Sequence, residues 1–167
     1  MSRTVVFVDF DGVLHPDRVY ISNRGRPILR GDGQLFMWSQ HLVDVLDDHQ
    51  DVRIVLSTSW ARMKSYSYAR RQLPQSIRDR VFAATWHSAM NNEQAGRTIW
   101  DMSTRYQQIA RFAQRASITD WFAIDDDDDG WPEQQRQRLV HTDPDLGLSD
   151  ERVREELRSK LAALSAP

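Results

Sequence analysis

One short segment near the amino terminus constrains the fold of this chain more than any other. The apolar, β-branched run at residues 4–8 ends in Asp9, and a second acid, Asp11, follows directly before Gly12. Such a run is typical of a strand buried on both faces of a parallel sheet. Ligand sites in open α/β sheets lie beyond the carboxyl ends of the strands, so we expect both carboxylates to project into such a site.

The spacing of these two acids also predicts a bound cation. Two carboxylates at close range repel each other, so either a cation holds both ionised or one of them stays protonated. Magnesium satisfies the first condition, because it is a hard ion that prefers oxygen ligands. Asp9 and Asp11 are therefore candidate ligands of Mg²⁺.

The rest of the chain alternates apolar runs with helical patterns. Strands are predicted at residues 4–9, 52–56, 81–86, 121–124 and 138–141. Helices are predicted at residues 35–48, 61–73 and 148–164, and from residue 103 onward. Strands that alternate with helices imply βαβ units. We therefore predict an α/β fold of three layers, in which a Rossmann-like parallel sheet carries helices on both faces.

Two segments interrupt this alternation. Residues 15–34 are polar and rich in glycine and proline, with a short apolar patch at residues 19–21, which favours a β-hairpin flap over a helix. Residues 87–98 are predicted to form a polar loop, so the segment 61–103 is either a small lid or a βα unit with a long loop. We expect residues 1–167 to form a single domain with a minimal cap.

The composition excludes several kinds of site and location. The chain has no cysteine, which rules out disulfides, zinc–thiolate sites and a cysteine nucleophile. Its formal charge of −2 gives no bulk attraction to nucleic acid, although a local basic patch is compatible with it. No apolar run approaches the ~20 residues that span a bilayer, and no secretory signal precedes the first strand. We therefore expect a cytoplasmic protein with no membrane partner.

A second predicted strand also ends in acids. The strand at residues 121–124 runs into five consecutive aspartates, residues 125–129. Because parallel strands end at the same edge of a sheet, Asp125 is a candidate direct ligand of the Mg²⁺ ion, and Asp126 a ligand directly or through water. The other three acids are expected to form a solvated loop, since a run of like charge repels itself, and Asp129 as an outer ligand of the ion is the alternative.

A cluster of hydroxyl side chains, residues 57–59, follows the predicted strand at 52–56. A hydroxyl at such a strand end can donate to a phosphate oxygen, as can the backbone N–H groups of the next turn. A Ser/Thr turn without a ligand is the alternative.

The motif Asp-Phe-Asp-Gly-Val at residues 9–13 resembles the nucleophile motif of the haloacid dehalogenase (HAD) superfamily, whose members are mostly magnesium-dependent phosphatases. Further features resemble one branch, the HAD domain of Swiss Army Knife RNA repair proteins and of many short stand-alone bacterial chains. They are Trp60, the Arg105-x-x-x-Ile109 pattern, the strand at 121–126 and residues 142–148. The resemblance extends over nearly the whole chain. It implies a central first strand, flanked by the strands that end at residues 56 and 125.

The resemblance also implies a role for several side chains. Asp9 would attack phosphorus and form an aspartyl-phosphate. Asp11 would protonate the leaving oxygen and then activate the water that hydrolyses the intermediate. Thr58 would bind the phosphate, and Ser57 is the runner-up if the register shifts by one residue.

A basic residue near the start of a helix completes the pattern of the superfamily. Arg105 is the preferred candidate, and Lys64 and Arg97 are its competitors. Arginine departs from the commoner lysine of the superfamily, but its guanidinium can bind phosphate through two parallel hydrogen bonds. The expected cation would neutralise charge on both the nucleophile and the substrate.

The expected function is a magnesium-dependent phosphohydrolase acting on a phosphorylated substrate, with nucleotides or nucleic-acid ends as candidates. A phosphotransferase shares the first step, and a non-catalytic binding or regulatory domain is a further alternative, against which the second aspartate argues. His15 either contacts the substrate or orders the flap. Five aromatic residues either stack on bases or pack internally: Tyr20, Tyr66, Tyr68, Trp86 and Trp100. The oligomeric state is not predicted.

Overall fold

The structure is a computed structural model that describes residues 4–87, 90 and 94–165, with residues 94–97 and 165 described by their backbone alone. The strands in chain order are β1 (Val5–Val8), β2 (Val19–Ile21), β3 (Pro27–Leu29), β4 (Arg53–Leu56), β5 (Val81–Ala84), β6 (Trp121–Asp125) and β7 (Leu139–His141). Five of them form one parallel sheet in the order β5-β4-β1-β6-β7. The predicted α/β fold is confirmed.

The helices lie between and after these strands. They are α1 (Ser39–Leu46), α2 (Ser59–Met63), α3 (Tyr66–Arg71), α4 (Gln75–Arg78), α5 (Gln94–Asp101), α6 (Arg105–Arg115) and α7 (Glu151–Ser165). Two short 3₁₀ helices, Glu133–Arg138 and Gly147–Ser149, flank β7. Within the described residues, no helix is both long enough and apolar enough to cross a membrane.

The first strand lies at the centre of the sheet and is buried along its whole length. It pairs with β4 and β6 in parallel, so that Val8 lies beside Leu56 on one side and Ile124 on the other. Its side chains alternate between the two faces, as the strand period requires: Val8 packs in one core layer and Phe7 in the other. The apolar run is therefore a strand buried on both faces.

Helices cover both faces of the sheet. One core layer contains residues from α1, α4 and α7, such as Leu42, Ile77 and Leu157. The other contains Ile109 of α6 together with Trp131, which precedes the first 3₁₀ helix. These two layers and the sheet between them make up the predicted three-layer arrangement.

The flap predicted at residues 15–34 is present as an antiparallel hairpin of β2 and β3, in which Tyr20 lies opposite Ile28. Half-buried Val19 packs against the first core layer. At the turn of the hairpin, the Lys64 ammonium group donates a hydrogen bond to the Gly25 carbonyl. The flap therefore lies against the loop between α2 and α3.

Three helix and loop predictions differ from the structure. The helix predicted from residue 35 begins at Ser39, because Phe36 has a φ of 62°, a left-handed value that no helix contains. The single helix predicted at 61–73 is wrong. The structure instead has two helices there, α2 and α3. The second one starts after Ser65, because the Ser65 hydroxyl accepts a hydrogen bond from the Tyr68 backbone N–H.

The polar loop predicted at 87–98 is wrong from residue 94 onward, where α5 begins. Its Trp100 ring packs against Trp86, with the ring centroids 5.3 Å apart, so tertiary contact favours a helix despite Gly96. Residues 88, 89 and 91–93 of this prediction lie outside the described residues. The strand predicted at 81–86 ends two residues earlier, at Ala84.

Candidate active site

Three acidic side chains meet at the carboxyl edge of the central sheet. Asp9 follows β1 and Asp125 ends β6, and the two strands are hydrogen-bonded neighbours. Both side chains are buried, whereas Asp126, the next residue, is half-buried. One carboxylate oxygen from each of Asp9, Asp125 and Asp126 lies within 4.8 Å of the other two. We call these three residues the acidic cluster.

One half-buried cation, Arg105, faces this cluster. Arg105 is the first residue of α6, whose start is stabilised by a capping box between Thr104 and Gln107. The Arg105 guanidinium lies 3.4 Å from Asp9 Oδ2 and 3.1 Å from Asp125 Oδ2. Its Nη1 also donates to the Ser57 carbonyl at 2.6 Å. The guanidinium therefore neutralises part of the charge that two strand ends concentrate here.

Lys64, the second candidate cation, contacts other groups. The Lys64 ammonium group is bonded to the flap at Gly25 and lies over the Tyr68 ring, 5.2 Å from its centroid. The side chain of Arg97 lies outside the described residues. Of the cations that the described side chains include, Arg105 is the one that contacts Asp9.

Burial dominates the protonation of the acidic cluster. Burial raises the pKa of Asp9 to about 6, against the opposing charge of Arg105 and with a further rise from Asp11. Burial and the charge of Asp9 raise the pKa of Asp125 well above its ordinary value. The same two causes raise the pKa of Asp126 to about 7. Burial lowers the pKa of Arg105, but the carboxylates around it raise that pKa by a larger amount. The net shift is upward, so the guanidinium stays charged.

The donor set fits a hard divalent cation. It consists of carboxylate oxygens alone, the ligands that Mg²⁺ prefers. Oδ2 of Asp125 is buried and has no hydrogen-bond partner within the described residues, because its contact with Arg105 Nε lacks hydrogen-bond geometry. A buried oxygen in this state is costly, and a bound cation would satisfy it.

A glycine leaves room for one of these carboxylates. Gly12 has a φ of +73°, and a Cβ at this position would lie 2.4 Å from the Asp126 carboxyl group. Only glycine combines this backbone conformation with the space that Asp126 occupies. The glycine of the motif is therefore part of the architecture of the acidic cluster.

The hydroxyl cluster lies beside Asp9. The Thr58 hydroxyl accepts a hydrogen bond from the Trp60 backbone N–H and so caps α2. It also lowers the pKa of Asp9 by hydrogen bonding to its carboxylate. Ser57, the runner-up, is fully buried, and its hydroxyl has no hydrogen-bond partner within the described residues. Both residues follow β4, and of the two hydroxyls the one of Thr58 contacts the nucleophile candidate.

The carboxylate of Asp11 is not one of the three that meet in the acidic cluster, and Asp11 as a metal ligand stays a prediction. Two ring N–H groups hold it instead. The Trp60 indole N–H lies 3.2 and 3.1 Å from its two oxygens, and Nε2 of His15 lies 2.8 Å from Oδ1. The Asp11 side chain is 20% exposed, so part of it faces solvent. Both oxygens of the Asp11 carboxylate therefore have a ring nitrogen as partner, and the side chain remains partly open to solvent.

The contacts that Trp60 and His15 make with Asp11 are not predicted from the sequence. The sequence indicates Trp60 only as a family feature and predicts that His15 either contacts the substrate or orders the flap. A signal for His15 was available, since it lies four residues after Asp11 in a tight loop. No local signal indicates Trp60, which is 49 positions from Asp11.

The remaining aspartates of the run behave as a surface loop. Asp128 forms an ion pair with Arg136 at 2.9 Å, and both side chains are more than two-fifths exposed. The Asp127 backbone N–H donates to Asp125 Oδ1 and so helps to fix that carboxylate. Neither Asp127 nor Asp128 belongs to the acidic cluster.

A comparison with known protein families agrees with this geometry. Residues 5–153 match the family described as the HAD domain in Swiss Army Knife RNA repair proteins. The chain belongs to this family. A HAD domain suggests a phosphatase-type hydrolase, and HAD proteins generally use Mg²⁺, for which the acidic cluster supplies suitable ligands. None of the curated proteins compared with this HAD domain matches it.

Proposed function

We propose that this protein is a Mg²⁺-dependent phosphohydrolase that works through an aspartyl-phosphate on Asp9. The observation that supports it best is the meeting of Asp9, Asp125 and Asp126 with the half-buried cation Arg105 at one sheet edge. Phosphoryl transfer depends on positioning and on positive charge around the transferred group, and this site offers both.

The proposed reaction has two steps. In the first, a carboxylate oxygen of Asp9 bonds to phosphorus while the bond to the leaving oxygen breaks, and Asp11 gives its proton to that oxygen. In the second, Asp11 takes a proton from water, whose oxygen bonds to phosphorus and releases phosphate from Asp9. Asp11 is suited to both roles, because its carboxylate lies near Asp9 but outside the acidic cluster.

The other side chains supply charge and hydrogen bonds. Arg105 and the Thr58 hydroxyl would bind oxygens of the phosphoryl group beside Asp9. Asp9, Asp125 and Asp126 would hold Mg²⁺, which when bound neutralises charge on the phosphoryl oxygens and lowers the carboxylate pKa values.

The test is the hydrolysis of an aryl phosphate with Mg²⁺ and with EDTA. Asp9→Asn is expected to abolish turnover with an unchanged circular dichroism spectrum, because an amide cannot form the acyl phosphate. Asp128→Asn is the matched control, since it removes a surface acid from the loop after β6 and leaves the three acids of the acidic cluster in place. Full activity of Asp9→Asn would refute the covalent role.

Two alternatives have distinct outcomes in the same assay. A wild-type protein that hydrolyses no member of a broad panel of phosphate esters would indicate a non-catalytic binding domain. Release of alcohol in excess of inorganic phosphate, in the presence of a second alcohol, would indicate a phosphotransferase.

The flap supports a polyanionic substrate, and we propose the phosphorylated end of a single-stranded nucleic acid. Alternate residues of a strand share one face. On one face of the hairpin, Tyr20 and Ile28 lie opposite each other, each 39% exposed. Exposed Arg26 lies on the same face, as does Arg30, whose guanidinium is 4.6 Å from the Tyr20 ring centroid. Cations beside an exposed aromatic ring suit phosphates and stacked bases.

This substrate can be tested separately from the chemistry. Alanine at both Arg26 and Arg30 is expected to raise KM for a 5′- or 3′-phosphorylated oligonucleotide and to leave aryl phosphate hydrolysis unchanged. The salt dependence of binding should weaken by about 0.7 in log–log slope for each arginine removed. Arg115→Ala, an exposed arginine at the end of α6, is the control. Equal KM values of the double variant and the wild type for the oligonucleotide would argue against the nucleic-acid substrate.

A further inference from the structure

His15 is a fully buried polar side chain with a partner on each ring nitrogen. Nδ1 lies 3.1 Å from the Phe36 backbone nitrogen, and Nε2 lies 2.8 Å from Asp11 Oδ1. A backbone N–H can only donate, so Nδ1 must be the unprotonated acceptor. In a neutral imidazole the other nitrogen then carries the hydrogen. His15 is therefore held in the Nε2–H form and donates to Asp11.

The surroundings hold the imidazole in this orientation. Phe36 has a φ of 62°, a region that non-glycine residues rarely adopt, and its N–H donates to Nδ1 in that conformation. The Phe36 ring meets His15 edge to face, with centroids 4.8 Å apart, and also packs against Phe10 and Trp60. An aromatic cluster therefore fixes the ring that contacts Asp11.

The contact from His15 complements the one from Trp60. Trp60, 1% exposed, donates its indole N–H to Asp11 from the first turn of α2. Two donors from different parts of the chain thus hold the Asp11 carboxylate, which lies outside the acidic cluster. His15 begins the flap and Phe36 lies just after its end. The imidazole therefore links both ends of the flap to Asp11.

We propose that His15 is a positioning residue for the acid/base: its Nε2–H group orients the Asp11 carboxylate so that it can deliver a proton to the leaving oxygen. This rests on the proposed phosphohydrolase function and adds to it a residue that acts through Asp11 rather than on the substrate. Proton delivery matters most for a poor leaving group, because a good one departs without it.

The test compares two isosteric replacements on two substrates. A Gln amide places an N–H donor near the position of Nε2, whereas an Asn amide reaches only the position of Nδ1. We expect His15→Asn to lower kcat/KM for an alkyl phosphate by about 10²-fold and for p-nitrophenyl phosphate by less than about 10-fold. His15→Gln should recover much of the loss. His41→Gln, a half-buried histidine of α1, is the control.

The outcomes separate the two proposals. Because kcat/KM reports the steps up to departure of the leaving group, a merely structural role of His15 would lower it equally for both esters and would overturn the positioning role. A wild-type protein that hydrolyses neither ester would overturn the proposed phosphohydrolase instead. The ¹⁵N signals of the wild-type His15 ring give an independent measure: protonated Nε2 and unprotonated Nδ1 are expected, and the reverse would refute the proposal even if the variants fail to fold.

Discussion

Replacement of Arg105 by methionine tests the electrostatics of the site most directly. The Arg105 side chain is 13% exposed, and its guanidinium contacts two carboxylates of the acidic cluster, those of Asp9 and Asp125. Methionine has a similar length and no charge, so Arg105→Met leaves both buried carboxylates without this cation. Removal of one partner from a buried ion pair typically costs about 3–5 kcal/mol, because the remaining charge stays buried and unpaired. We expect the free energy of unfolding of Arg105→Met to be lower than that of the wild type by this amount at pH 8 in EDTA.

The loss is expected to shrink as the pH falls. Arg105 lowers the pKa values of Asp9 and Asp125, so its removal raises both further above the ordinary value of 3.8. The folded variant then binds more protons than the unfolded chain, and its free energy of unfolding decreases as the pH rises. For each such proton the slope reaches about 1.4 kcal/mol per pH unit. At pH 5 the carboxyl groups of the folded variant are largely protonated. We therefore expect the free energy of unfolding of Arg105→Met to be much closer to that of the wild type at this pH.

Urea denaturation followed by tryptophan fluorescence, at pH 5 and pH 8 in EDTA, measures this difference. Arg105→Lys retains the charge without the planar fork, and we expect it to be intermediate. Arg115→Met, at an exposed arginine of the same helix, is the matched control. Equal stability of Arg105→Met and the wild type at pH 8, or the same loss at both pH values, would refute the reasoning.

Three further predictions concern the glycine, the metal and the core. Gly12→Ala is expected to weaken Mg²⁺ binding about ten-fold or more, since its Cβ would displace the Asp126 carboxyl group, and unchanged affinity in calorimetry would contradict this. In EDTA, the melting temperature should fall between pH 5 and pH 8, because folding raises the pKa values of Asp9 and Asp126, and added Mg²⁺ should reverse the fall; a rise with pH in EDTA would count against it. Phe7→Ala, at a fully buried ring, is expected to cost about 3–5 kcal/mol in urea denaturation, and a loss below about 1 kcal/mol would be inconsistent with this packing.

The strands were predictable because their signals are local. A β-branched apolar run that ends in acids identified β1, and similar runs identified β4 and β6 to within one or two residues. The helix ends were not predictable from the sequence, since they depend on contacts with distant elements. Phe36 interrupts the predicted first helix, and its backbone N–H bonds to His15, 21 positions away. Likewise, α5 packs its Trp100 against Trp86, which no helical pattern indicates.

The sequence alone determined which kinds of side chain stand at the strand ends, because an apolar run and the acids that follow it are neighbours along the chain. Tertiary structure decided which of them act together. Arg105 reaches Asp9 across 96 positions, and Trp60 reaches Asp11 across 49, so neither contact has a local signature. The contact from Trp60 and the nearer one from His15 together hold the Asp11 carboxylate, which lies outside the acidic cluster. Hydrogen bonds and ion pairs act over a few ångströms in space, and only the folded sheet brings these residues within that range.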